Sequence, residues 1–205
     1  MTLCIGLYLF DDVEILDFAG PLEVFSTASR VFARLHPGAP PPFCTALIGR
    51  ERSIRARGGL RVTLPHRIDD HPPLDLLLVP GGVVDAELER PEVVTWIGAQ
   101  AARNGRIASV CTGAFLLGEA GLLDRRRCTT HWEDVAALRS RYPNAHVVTD
   151  SRFVDDGPII TSAGISAGLD MSLYLVARLA DRSLAVRTAR QMDYAWQGSP
   201  ESGTQ

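Results

Sequence analysis

Ile107–Gly118 reads IASVCTGAFLLG. An apolar strand stops at Val110, one residue intervenes, and a helical pattern begins at once. A residue at so tight a strand-to-helix turn projects above the edge of a sheet and is often strained. The helix beside it offers free backbone N–H groups and partial positive charge. Cys111 occupies that turn. The reading predicts a reactive thiol there, with its pKa lowered toward the thiolate and with oxidation ahead of the other cysteines. A small core residue filling a turn is the competing reading.

The rest of the chain repeats this alternation. Leu3–Phe10 is a continuous apolar run, and Pro21 is read as opening a helix with Leu22, Phe25 and Ala28 on one face. Phe43–Ile48 is a second strand, and Ser53–Leu64 a hairpin turning near Gly58-Gly59. Leu74–Val79 is the clearest core strand, ended by Pro80-Gly81-Gly82. Glu92–Ala102, Ala114–Leu123 and Glu133–Arg141 read as helical. His146–Thr149, Ser151–Val154 and Pro158–Ser162 read as short strands, the last two joined by Asp155-Asp156-Gly157. Ser166 is expected to cap a final helix bearing Leu169, Leu173 and Val176. Continuous apolar strands separated by helices imply an α/β fold with a mostly parallel sheet covered on both faces. Residues 1–197 are read as one domain and 198–205 as a flexible tail.

Ligands bind such sheets at the carboxyl ends of the strands. That rule selects four loops: Asp12–Pro21, Pro80–Val84, Val110–Gly113 and Thr161–Ser166. The first holds Asp17 between apolar neighbours, in ILDFAGP. A carboxylate in an apolar pocket has a raised pKa and can pass protons, and a helix cap for Pro21 fits the same position equally well. In the second loop, Gly81 and Gly82 let backbone approach a ligand and can turn an N–H toward an oxyanion, as can the N–H of Thr112 in the third. His131, in CTTHW, invites a Cys-His dyad, although a structural histidine is the preferred reading there.

Composition narrows the alternatives. The 205 residues carry 46% hydrophobic and 22% charged residues and a formal net charge of -3. That is an ordinary globular balance, without the basic field that nucleic acid or an anionic membrane would call for. The N-terminus is too short in its apolar run for a signal peptide, no segment is long enough to span a bilayer, and a cytoplasmic protein is expected. Cys4, Cys44, Cys111 and Cys128 are far apart and form no CxxC pair. Neither a zinc site nor a disulfide framework is expected, and no motif for an organic cofactor is present.

LDFAGPLEVF, LLVPGG, SVCTGAFLLGEAGLL, CTTHW and TSAGISAGLD stand in this order from Leu16 to Asp170. In this the chain resembles the ThiJ/PfpI superfamily, related to class I glutamine amidotransferases, and most of all its isocyanide-hydrating branch. The resemblance implies a flavodoxin-like three-layer sandwich and the conversion of an isocyanide to an N-substituted formamide. It puts the nucleophile on Cys111, its acidic partner on Asp17 where many relatives have Glu, and the following residue on Thr112. Backbone oxyanion donors would be Gly82 and Thr112, beside Gly81. No cofactor is implied, and a homodimer acting on a small molecule is. The peptidase branch has His directly after the nucleophile, where this chain has Thr112, and that counts against proteolysis. Glyoxalase or deglycase chemistry uses a similar Cys and acid pair. The CTG and TTHW signatures also occur in the ligand-sensing domains of AraC-type transcription regulators. Those continue into a helix-turn-helix, for which no room is expected before Gln205.

Overall fold

The computed structural model describes residues 1–197, and the expected tail at 198–205 lies outside them. Eleven strands and seven helices alternate along them. The strands are β1 Leu3–Leu9, β2 Phe43–Gly49, β3 Ser53–Arg55, β4 Arg61–Thr63, β5 His66–Arg67, β6 Leu76–Val79, β7 Ile107–Val110, β8 Arg127–Cys128, β9 His146–Val147, β10 Phe153–Asp156 and β11 Ile159–Ser162. The helices are α1 Ile15–Leu35, α2 Asp85–Leu88, α3 Pro91–Asn104, α4 Gly113–Glu119, α5 Val135–Arg141, α6 Ala167–Leu179 and α7 Arg182–Gln191.

Seven strands form one sheet in the order β10-β11-β7-β6-β1-β2-β5. All neighbours in it are parallel except β10 and β11, which pair antiparallel across the expected hairpin. The central strands carry no polar alternation because both faces are covered: every residue of β6 and β7 is buried. Helices α1, α6 and α7 pack against one another as one layer, and α2, α3 and α4 as another. This is the α/β fold that the apolar strands call for, in the flavodoxin-like sandwich that the resemblance implies. The short hairpin β3–β4 and the pair β8–β9 stand apart from the main sheet. No helix among the described residues is long and apolar enough to cross a membrane.

Three local expectations are corrected. Pro21 does not open α1, which starts at Ile15 and carries Pro21 inside it. Proline offers no N–H to the carbonyl four residues earlier, that of Asp17, but the buried face of α1 already begins at Asp17 and Phe18. Packing of that face outweighs the lost bond. Ser166 is the N-cap residue of α6, yet its side chain makes no cap bond; its hydroxyl is instead reached by Arg152 Nη2 at 3.4 Å. Finally, α7 follows α6 and was not expected. It is arginine-rich, it buries the small residues Ala185, Thr188 and Ala189 with Leu184, and it is capped by Asp181, which accepts from the Leu184 N–H at 2.8 Å.

Candidate active site

The four loops selected by the strand-end rule meet at Cys111. The cysteine has φ 54°, a left-handed backbone uncommon outside glycine. Its N–H donates to Ser162 O at 3.1 Å, and its carbonyl accepts from Thr130 Oγ1 at 2.8 Å. Hydrogen bonds from both sides thus hold the turn in its strained form. Cys111 is 8% exposed, on a cavity of about 540 Å³ that Gly82, Thr112, Phe115, His131 and Ile165 help to line.

Asp17 lies beneath this cavity in the first turn of α1 and is fully buried. Its Oδ2 accepts the N–H of Gly81 at 3.0 Å, and its Oδ1 has no hydrogen-bond partner. One carboxylate oxygen is therefore open to take or hold a proton. Burial pushes the Asp17 carboxyl up from 3.8 to about 7, and the charge of Glu14 adds to the rise; the Gly81 N–H, the neighbouring Cys111 thiol and Arg57 pull the other way. The cap reading of Asp17 fails, because the N-cap position belongs to Glu14. Glycine is required at 81: a Cβ there would lie 2.6 Å from Thr112 Oγ1 and 2.9 Å from Asp17 Oδ2.

The expected low pKa of Cys111 is also corrected. Burial, then the charge of Asp17, push the thiol up to about 12. The N–H groups of Thr112 and Ile165 favour the thiolate, and Asp134 opposes it. Desolvation of a charge outweighs two N–H donors and the end of a short helix. The resting residue is a thiol, placed beside a carboxyl that titrates near neutrality.

Thr112 uses its hydroxyl against the neighbouring loop. Oγ1 accepts from the Gly82 N–H and donates to the Gly82 carbonyl, both at 2.9 Å. Gly82 thus lines the cavity with its N–H already engaged, and Gly81's N–H is engaged by Asp17, so neither is the free oxyanion donor that the sequence reading expects of this loop. The donors directed at the sulfur come from Thr112 and Ile165. Ile165 was not anticipated. Its loop was selected, but nothing in TSAGIS marks a β-branched residue for φ 47°.

His131 shares the cavity wall with Cys111. Its Nδ1 accepts the Glu133 N–H at 3.4 Å and lies 3.6 Å from Asp134 Oδ2. The ring occupies space that only a glycine at 164 leaves, since a Cβ there would sit 2.0 Å from His131 Cδ2. Among the described residues no hydrogen bond joins His131 to Cys111, in keeping with the preferred structural reading. The mouth also holds an ion pair that the sequence reading missed, Arg57 with Glu14 at 3.3 Å.

Residues 4–178 match the DJ-1/PfpI family. The chain is 33% identical to the isonitrile hydratase of Pseudomonas putida, an alignment covering 95% of this chain and 80% of that one. It is 32% identical to the HTH-type transcriptional regulator GbdR of Pseudomonas aeruginosa, over 93% of this chain but only 50% of the regulator. A crystal structure of a ThiJ/PfpI family protein from Pseudomonas syringae superposes with a TM-score of 0.82 at 26% identity, covering 100% of this chain and 80% of that one.

Proposed function

The chain belongs to the DJ-1/PfpI family, and from that premise we propose that it is a cysteine-dependent hydratase, adding water to an isocyanide to give an N-substituted formamide. The observation that carries the reading is the buried Asp17, its Oδ1 without a partner, beside the Cys111 thiol that lines a cavity. The isocyanide carbon has to gain a proton and a sulfur bond together. Cys111 gives up its proton to Asp17 as sulfur attacks, and Asp17 hands that proton to the carbon. The product is a thioimidate on Cys111. Water then adds to the thioimidate carbon and one of its protons goes to the nitrogen; the C–S bond breaks, sulfur takes the other proton through Asp17, and the formamide leaves.

In this reading the N–H groups of Thr112 and Ile165 stabilise the developing thiolate. Thr112 Oγ1, bridged to Gly82, fixes the elbow, and Gly81 orients Asp17. No free thiolate has to accumulate, which accommodates a Cys111 raised to about 12. The 33% identity to an isonitrile hydratase favours this substrate class.

A second reading, a ligand-sensing module without turnover, is favoured by the regulator relatives, of whose length the chain spans about half. Purified protein assayed in parallel with an isocyanide and a 2-oxoaldehyde decides between them. Formamide production supports the hydratase, aldehyde consumption alone transfers the reading to glyoxalase-type chemistry, and saturable binding without turnover supports the sensor. The same family premise predicts a homodimer. Light scattering that returns a mass near 22.3 kDa would count against it.

The mechanism sets a pH dependence. The active pair carries one proton shared between Asp17 and Cys111. Below about 7 Asp17 gains a second proton for the pair; above about 12 the pair has none. The expected kcat/KM is flat through mildly alkaline pH and falls about tenfold per unit as pH drops below about 7. A profile that rises on acidification through neutrality would contradict the proton path.

A further inference from the structure

Cys4 and Cys44 are forty residues apart in sequence, and the sequence reading treats them as separate residues. The fold makes them neighbours: β1 and β2 pair in parallel with Cys4 directly opposite Cys44. Register partners on adjacent strands lie about 4.8 Å apart at Cα and project to the same face. That separation is inside the window of about 4.4–6.8 Å that disulfides use. Cys44 is among the neighbours that push the Cys4 thiol up.

Their exposures divide the labour. Cys44 is exposed, while Cys4 beside it is buried. Among the described residues no strand pairs with the outer side of the half of β2 that holds Cys44, because β5 pairs only with Ile48 and Gly49; there the Phe43 carbonyl accepts from Ser29 Oγ at 2.9 Å. Closure asks that end of the strand to shift by about 1 Å, from Cβ atoms about 4.8 Å apart to the 3.8 Å typical of a disulfide. Asp75 anchors the other strand, its Oδ2 accepting the Cys4 N–H at 2.8 Å.

We propose that Cys4 and Cys44 are a redox modification site, closing into a reversible disulfide when the protein meets hydrogen peroxide. Cys44 sulfur attacks one peroxide oxygen; the O–O bond breaks, water leaves, and Cys44 becomes a sulfenic acid. Cys4 sulfur then attacks Cys44 sulfur; the S–S bond forms, the S–O bond breaks, and the Cys4 proton leaves with hydroxide as a second water. Two thiols and one peroxide give one disulfide and two waters. Burial and the neighbours Cys44 and Asp75 push the Cys4 thiol up to about 12, which keeps it from being the first to be oxidised. The pair sits at the amino ends of β1 and β2, away from the strand ends that hold Cys111, so its closure is independent of the catalytic cysteine.

The test is peroxide titration of the folded wild type and of the Cys111→Ser variant. Free thiols are then alkylated, and the protein is digested without reductant for mass spectrometry. The expected product is a peptide cross-linked through Cys4 and Cys44, equally abundant in both proteins and abolished by dithiothreitol. Cys44→Ser, at an exposed position, should eliminate it without unfolding the protein. Cys4→Ser should leave Cys44 to proceed to sulfinic acid. The proposal fails if wild-type Cys44 over-oxidises while Cys4 stays alkylatable. It fails equally if Cys44 bridges two chains instead, if both thiols remain free, or if the cross-link appears in wild type but not in Cys111→Ser.

Discussion

Replacing Cys111 with serine is expected to reduce turnover to the uncatalysed background while leaving the melting temperature close to that of wild type. The two side chains differ little in volume, so the turn should keep its hydrogen bonds to Ser162 and Thr130. The N–H groups of Thr112 and Ile165 that face sulfur would meet a serine oxygen as an ordinary acceptor. The chemistry is what changes. A carboxylate whose conjugate acid titrates near 7 is within reach of removing a thiol proton during attack, and far from removing a serine hydroxyl proton. Steady-state kinetics on formamide formation and a thermal melt separate the two effects. In wild type, rapid acid quench during turnover should add the substrate's mass to the peptide that contains Cys111. A Cys111→Ser enzyme that keeps even a tenth of the wild-type rate would show that sulfur is not the nucleophile.

Much of this site could be anticipated, for local reasons. A strand, one residue and a helix in IASVCTGAFLLG leave Cys111 nowhere to go but the sheet edge, and its φ of 54° follows from that geometry. The strand-end rule then brought Asp17, Gly81, Thr112 and the Ile165 loop to one place, because a parallel sheet aligns all those ends. The misses have a common origin in contacts between distant segments. Asp17 finds its partner Gly81 sixty-four residues away, and a helix cap could not be set aside without knowing that α1 begins at Ile15 with Glu14 as its N-cap. The direction of the Cys111 shift depends on burial and on Asp17, neither of which a helix terminus reveals. Gly82 reads as an available donor in the sequence, but in the fold its N–H donates to the Thr112 hydroxyl. Pro21 misled for the opposite reason: a strong local rule lost to the packing of a buried helix face. In α7, the stripe of small residues was too weak to stand out from its arginines.

Asp17→Asn is expected to lower turnover by a factor of roughly 10²–10⁴, the usual loss for a general acid–base, and at the same time to raise stability at pH 8. Asparagine keeps an oxygen for the Gly81 N–H but can neither take the Cys111 proton nor return it. The stability effect follows from the raised pKa. Folding lifts Asp17 from 3.8 to about 7, so the native state holds this proton more tightly than the unfolded chain does. Its contribution is fully present below about 3.8, fades as pH rises, and is gone above about 7. At pH 8 the buried carboxylate is therefore ionised at a cost on the order of 4 kcal/mol, the worth of a shift of about three units. Asparagine carries no charge at any pH and avoids that cost. The variant should melt several degrees above wild type at pH 8, and the gap should close toward pH 4. A merely structural Asp17 predicts near-wild-type turnover, while the melts test the raised pKa itself. Kinetics and melts at the two pH values read both. Activity retained within threefold by Asp17→Asn would remove the proton shuttle, and with it the reason for burying a carboxylate beneath Cys111.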